Sequence, residues 1–155
     1  MLFVVFKAGN ANYALEARKV IEVVPLVTLR ACPGAPAYIT GVANYHGTGV
    51  PIVDLGRLVN GAPCTVYLST RIILTPYAGG GNQQRVIGLL AETVTNTVER
   101  EETDFSQNNV AVSGTPGLGK LAVSGTGFIQ RVVLTQLIPK ELEPMLFAEL
   151  EKSAS

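Results

Sequence analysis

Chemistry in this chain could begin at His46, the only histidine among its 155 residues. It lies in "GVANYHGTGVPIVDLGRLV" (Gly41–Val59), close to Gly47, Gly49, Pro51 and Asp54. An imidazole serves as base, nucleophile activator or metal ligand only in company: more ligands for a metal, an orienting acid and a hydroxyl for a triad. The one carboxylate near it in sequence, Asp54, stands where a helix N-cap is needed, which already explains it. A hairpin histidine that touches a partner is the better reading of His46. A second candidate is "GTPGLGKL", in which Gly114, Gly119 and Lys120 reproduce the G-x-x-x-x-G-K spacing of a phosphate loop. The next position should carry the hydroxyl that holds magnesium, and it is Leu121. A phosphate loop must also open a helix, whereas "LAV" and a turn follow here. The match is accidental.

Two weaker patterns remain. Glu99, Glu101, Glu102 and Asp104 form a charge run, the usual mark of a solvated face. Cys32 and Cys64 lack the paired Cys-x-x-Cys spacing of a zinc site and are too few for a disulfide framework. Both are expected as buried small hydrophobes in a reducing, cytoplasmic setting. No catalytic, metal or cofactor site stands out, so the expectation is a protein that is not an enzyme and uses no cofactor.

The elements that would position these residues are short apolar segments cut by turn chemistry, which predicts an all-β fold. Strands are expected at "LFVVF" (Leu2–Phe6), "YALEA" (Tyr13–Ala17) and "KVIEVVP" (Lys19–Pro25). "YITGVANY" and "GVPIV" are expected to pair through the turn at residues 46–49. Pro51 cannot donate to a ladder, which assigns its strand to an edge or a bulge. "DLGRLVNG" predicts a short helix with Asp54 as N-cap and Gly61 as its stop. "RIILTPY" and "RVIGLL" are expected to flank a hairpin tip at "AGGGNQQ". "ETVTNTVEREETDF" starts as a strand and is expected to end in a solvated acidic segment. "LGKLAV" and "GFIQRVVL" form a last hairpin. Leu142, Leu146 and Leu150 recur on one face of an expected C-terminal helix, about residues 139–152. With no linker or repeat, residues 1–155 are expected as one domain.

Charge narrows the partner classes. Twelve basic and twelve acidic side chains cancel, which disfavours nucleic acid, whose phosphates demand a basic field. No run approaches the roughly 20 apolar residues of a membrane span, so direct membrane insertion is not expected. With 47% apolar and only 15% charged residues, the surface has apolar area available for docking a protein. "KVIEVV" is the best candidate for such a face. Alternation sets Val20, Glu22 and Val24 on one side and Ile21 and Val23 on the other. A carboxylate in a doubly covered strand is costly, so Glu22 argues for exposure.

The pattern as a whole resembles the CheW family of chemotaxis coupling proteins. The likeness runs through "FVVFKAGNANYALEARKVIEVV", "PGAPAYITGVANYHGTGVPIVDLGRL", "RIIL", "RVIGLLAETVTNTV" and "LGKLAVSGTGFIQRVVLTQLI", from Leu2 to about Ile138. It implies two small packed five-stranded β-barrels with SH3-like lobes, and a non-catalytic adaptor. The implied partners are the regulatory domain of a CheA-type histidine kinase and the cytoplasmic tip of a chemoreceptor, the latter in a groove between the barrels. The partner-binding positions implied are Val20, Glu22, Val23, Gly41, Asn44, His46, Gly47, Val86, Gly88 and Leu90. Where this chain has His46, the family usually carries arginine. Arginine is a permanent planar charge, whereas an imidazole with a reference pKa of about 6.5 is mostly neutral at pH 7. The wording of the first 25 residues looks like that of couplers in surface-sensing systems of the Wsp type. Readings from other classes are a small-molecule-binding β-barrel, an enzyme built on one, and a nucleic-acid-binding barrel of the OB type.

Overall fold

The computed structural model describes residues 1–77, 85–106, 118–125 and 127–133. Ten strands divide into two five-stranded sheets. The terminal sheet has the order β8-β1-β2-β10-β9, from β1 (Leu2–Ala8), β2 (Ala11–Glu16), β8 (Thr93–Glu99), β9 (Leu118–Ser124) and β10 (Gly127–Val132). The middle sheet has the order β3-β6-β7-β5-β4, from β3 (Glu22–Pro25), β4 (Ile39–Tyr45), β5 (Thr48–Asp54), β6 (Arg71–Tyr77) and β7 (Arg85–Ala91). Helix α1 (Leu55–Asn60) follows β5, and α2 (Glu102–Ser106) follows β8. The all-β, two-lobed expectation matches this arrangement. The sheets are curled rather than sealed by hydrogen bonds into barrels. β3 and β4 remain the outer strands of the middle sheet, and beyond β3 the chain returns to β4 at a single backbone bridge, Arg30 to Val42 (2.9 and 2.8 Å).

Two tight hairpins set the registers. Gly9 and Asn10 (φ 52° and 62°) join β1 to β2, and His46 and Gly47 (φ 51° and 84°) join β4 to β5. Both central residues lie at positive φ, the mark of a type I′ turn, whose twist matches the strands it connects. β10 runs parallel to β2 at Ile129–Arg131, and β5 runs parallel to β7 at Ile52–Asp54.

Register and alternation assign the faces. On the inner face of the middle sheet, Val50, Ile52, Ile72 and Leu74 are buried beside Gly88 and Leu90. Its opposite face carries Ile73, Ile87 and Leu89, which share one apolar cluster with Phe6, Tyr13 and Leu15 of the terminal sheet. This layer holds the lobes together. The inner face of the terminal sheet holds a separate, smaller cluster of Phe3, Val5, Ala14, Phe105, Ala122 and Ile129.

Four expectations are corrected. The segment predicted as a strand from Lys19 begins pairing only at Glu22. Ala17–Lys19 form a 3-10 turn closed by the Val20 N–H on the Ala17 carbonyl (3.1 Å), which carries the chain from one lobe to the other. Pro51 sits in a strand that is interior only from Ile52 onward. Thr48–Pro51 pairs with β4 alone, where a missing donor costs nothing. The acidic segment is not wholly solvated, because α2 buries Phe105 against Phe3 with ring centroids 5.1 Å apart. Cys64 is buried as expected, but Cys32 is only half-buried in the loop before β4.

The predicted C-terminal helix and the tip at 78–84 lie outside the described residues. So do positions 114–117 of the phosphate-loop lookalike. Gly119 and Lys120 belong to strand β9 and do not open a helix. No helix of the described residues is long and apolar enough to cross a membrane.

Candidate functional site

The expected site residues separate into an exposed group and a buried one. Glu22 and Val23 are exposed on β3, at the open edge of the middle sheet, and Ile21 beside them is 47% exposed. Asn44, His46 and Gly47 are exposed at the β4–β5 turn. Three strands separate β3 from β4 in the sheet, yet the sheet curls enough for the Tyr45 hydroxyl to donate to Glu22 Oε2 at 2.6 Å. The edge strand and the hairpin tip therefore form one continuous surface.

Local chemistry fixes the tip. Asn44 Oδ1 accepts from the Gly47 N–H at 2.8 Å, pinning the turn from below. The His46 ring meets the Tyr45 ring edge-on, with centroids 4.3 Å apart. The hydrogen bond to Glu22 raises the Tyr45 pKa, with desolvation and the Glu22 charge adding to it, so the phenol keeps its proton at neutral pH. Nothing in this arrangement activates His46 for catalysis. Its nearest ring is an aromatic, and its backbone is committed to the turn.

The remaining expected positions belong to the packing. Gly41 is buried where the chain at Leu29–Arg30 crosses β4. A Cβ there would come within 2.8 Å of the Arg30 carbonyl oxygen and 2.9 Å of Leu29 Cβ. Gly88 lies at the crowded centre of the middle sheet, and a Cβ would meet Ile52 Cδ1 at 2.6 Å and Ile72 Cγ2 at 2.7 Å. Leu90 is buried, while Val86 and Val20 are half-buried against the same core. Gly41, Gly88 and Leu90 thus shape the lobe from within, and their burial leaves a partner no side-chain surface at these three positions. Tight backbone approach explains these glycines without a ligand.

Asp54 is the predicted cap, and it does more than cap. Its carboxylate accepts from the N–H groups of Gly56 (2.9 Å) and Arg57 (3.3 Å) at the start of α1, and from Cys64 N–H at 3.0 Å. Burial, then the hydrogen bond to Asp54, pushes the Cys64 thiol up to about 12, so it stays an inert thiol. Gly61 ends α1 in the left-handed region at φ 73°, as expected.

Sequence reasoning missed two carboxylates. Glu92, the single residue between β7 and β8, is buried and accepts from Gly9 N–H (2.6 Å) and Thr65 N–H (3.0 Å). One oxygen holds each lobe. A lone acid closing the apolar run "VIGLLA" is the only sequence signal it gives. Glu16, also buried, pairs with Arg18 (2.7 Å) and with Arg131, whose guanidinium lies 5.6 Å from the Phe3 ring centroid. Burial raises the Glu16 pKa, but the Arg18 hydrogen bond and the charges of Arg18, Arg131 and Lys19 outweigh it and leave the carboxyl below its ordinary value. Leu15, Glu16, Lys19, Pro76, Arg131, Val132 and Val133 line a small solvent-open groove of about 80 Å³ between the lobes. No sequence signal foretold that residues 16 and 131 meet.

Comparison with known proteins agrees with this architecture. A family model described as a CheW-like domain matches residues 2–138. The chain is 26% identical over 141 residues to the chemotaxis protein CheW of Rhizobium meliloti, covering 89% of this chain and 87% of that protein. It is 27% identical over 92 residues to protein FrzA of Myxococcus xanthus, covering 59% of this chain and 54% of FrzA. For several curated relatives, the chain therefore spans only about half of their length. The crystal structure of the scaffolding protein TtCheW from Thermoanaerobacter tengcongensis has the same fold. The TM-score is 0.74 at 24% identity, covering 86% of this chain and 84% of that one.

Proposed function

The chain belongs to the CheW-like family, and from that membership we propose that it is a non-catalytic adaptor coupling chemoreceptor tips to a CheA-type histidine kinase. Its work is binding free energy and geometry. An apolar edge with few charges docks one protein, and a groove between the lobes takes the other. Signal passes if receptor conformations differ in their affinity for the adaptor–kinase unit. The array that results is cytoplasmic, recruited to the membrane by the receptors. The observation that carries this reading is the union of Ile21, Glu22 and Val23 with the Asn44–Gly47 turn in one exposed surface, through Tyr45. Edge strands are ordinarily blunted against association, and this one presents two apolar side chains beside a carboxylate.

The regulatory domain of the kinase is the partner assigned to the β3 edge, and the receptor's helical hairpin is assigned to the groove lined by Leu15, Lys19, Pro76 and Val132. The test is co-purification of the full chain with the cognate kinase regulatory domain and with the receptor tip. Glu22→Lys and Val23→Asp are expected to cut capture at least tenfold while leaving the melting temperature within a few degrees. Both positions are exposed, so folding survives the change. Val20→Asp is a poorer probe, because Val20 packs against the core. Undiminished capture of both partners by these variants overturns the assignment.

A further inference from the structure

We propose that the Tyr45 hydroxyl is a positioning group for docking: it holds one oxygen of Glu22 so that the other receives a cationic side chain of the partner. The inference rests on the adaptor reading above and assigns Tyr45 a role that the sequence pattern does not.

The geometry is specific. Glu22 Oε2 takes the Tyr45 hydroxyl at 2.6 Å, and Oε1 has no hydrogen-bond or ion-pair partner among the described residues. Tyr45 and Glu22 sit on opposite edges of one sheet, so their bond ties β3 to the β4–β5 hairpin where no ladder does. Left alone, an exposed glutamate samples several rotamers, which a partner must freeze on binding. The Tyr45 bond makes that selection in advance. Its donor is neutral, so Glu22 keeps its full negative charge; a cationic latch would cancel it. The edge-on His46 ring, itself fixed by the turn, limits the swing of the phenol. The flanking Ile21 and Val23 are exposed and apolar. By alternation they lie on the other side of the strand, so the contact at Glu22 itself is one of charge.

The experiment measures binding of the full chain to the kinase regulatory domain and to the receptor tip by calorimetry. The partner followed is the kinase regulatory domain, which Glu22→Lys is expected to release; loss of the receptor tip alone overturns the proposal. Tyr45→Phe is expected to weaken that binding about three- to tenfold, the yield of one hydrogen bond, at an unchanged melting temperature. Glu22→Gln weakens it further, and adding Tyr45→Phe to Glu22→Gln brings no additional loss. A readout independent of binding is NMR of ring-labelled tyrosine, in which the ionisation of Tyr45 falls to lower pH in Glu22→Gln. Wild-type affinity in Tyr45→Phe, with Glu22→Lys still inactive, overturns the latch and leaves the docking face standing. An unmoved Tyr45 titration in Glu22→Gln overturns it too. Normal binding of both partners by Glu22→Lys removes the docking face and the latch together.

Discussion

The two lobes solve the same problem with different materials. The middle sheet is spun from one unbroken stretch, Glu22–Ala91, whose inner face is filled by large apolar side chains around Gly88. The terminal sheet is gathered from two stretches on either side of it, Leu2–Glu16 and Thr93–Val132, and among the described residues its inner face holds a cluster of six buried side chains. In that cluster Phe105 of α2 packs against Phe3, and the Glu16–Arg131 pair lies over the Phe3 ring. The middle sheet is centred on apolar packing around a glycine, whereas the described part of the terminal sheet adds a helix side chain and a buried ion pair. The exposed docking candidates collect on the middle sheet.

The strongest way to break this comparison is Phe105→Ala. Removing a buried phenyl costs about 3–5 kcal/mol, and in so small a cluster the loss should be local. Hydrogen exchange is expected to show Val5 and Ala14 losing protection while Ile73 and Leu89 keep theirs. Uniform loss across both sheets would mean that the lobes open as one unit.

A smaller effect sharpens the electrostatic half of the argument. Glu16→Gln removes a charge from a buried pair and is expected to cost about 2 kcal/mol near neutral pH. The Glu16 pKa is lowered in the folded state, so its stabilisation is complete above the ordinary carboxylate range and is lost as pH falls through the folded value. Denaturant titrations of wild type and variant should therefore converge in acid. A gap that stays constant down to pH 2 contradicts the pairing.

The smallest change is at the rim. His46 carries φ 51° in front of Gly47, the position where asparagine is preferred in this turn. His46→Asn is expected to stabilise the chain by about 0.5 kcal/mol. Kinase-domain capture by this variant then separates turn from contact. Unchanged capture takes the imidazole off the docking face, and reduced capture keeps it there.

The same division between lobes governs what could be read from the residues alone. The middle sheet announces itself locally: a glycine turn after Asn44, an Asp54 cap followed by a Gly61 stop, and β-branched runs at Arg71–Tyr77 and Arg85–Ala91. Each signal spans a few residues, and each matches the structure. The surface role of Glu22 followed from the cost of burying a carboxylate. The crowding around Gly41 and Gly88 was not legible, because a glycine demanded by crowding and one demanded by a ligand look identical until the neighbouring atoms are known. The terminal sheet depends on β2 meeting β10 and on Glu16 finding Arg131, pairs separated by more than a hundred residues. Phe105 was lost among acids because a five-residue helix is too short to show a period. Tyr45 was passed over because its partner lies across the sheet and not along the chain.

The parallel pairing of β2 with β10 has a consequence for how the molecule is made. A ribosome delivers the middle sheet whole once Ala91 has emerged, but the second strand of the protein, paired with β1, must wait for Ile129–Arg131 before its other neighbour exists. Until then Phe6, Tyr13 and Leu15 are the exposed half of an unfinished interface, and a completed middle sheet is the surface nearest to shelter them. The order of synthesis thus makes the early lobe the template on which the late one closes.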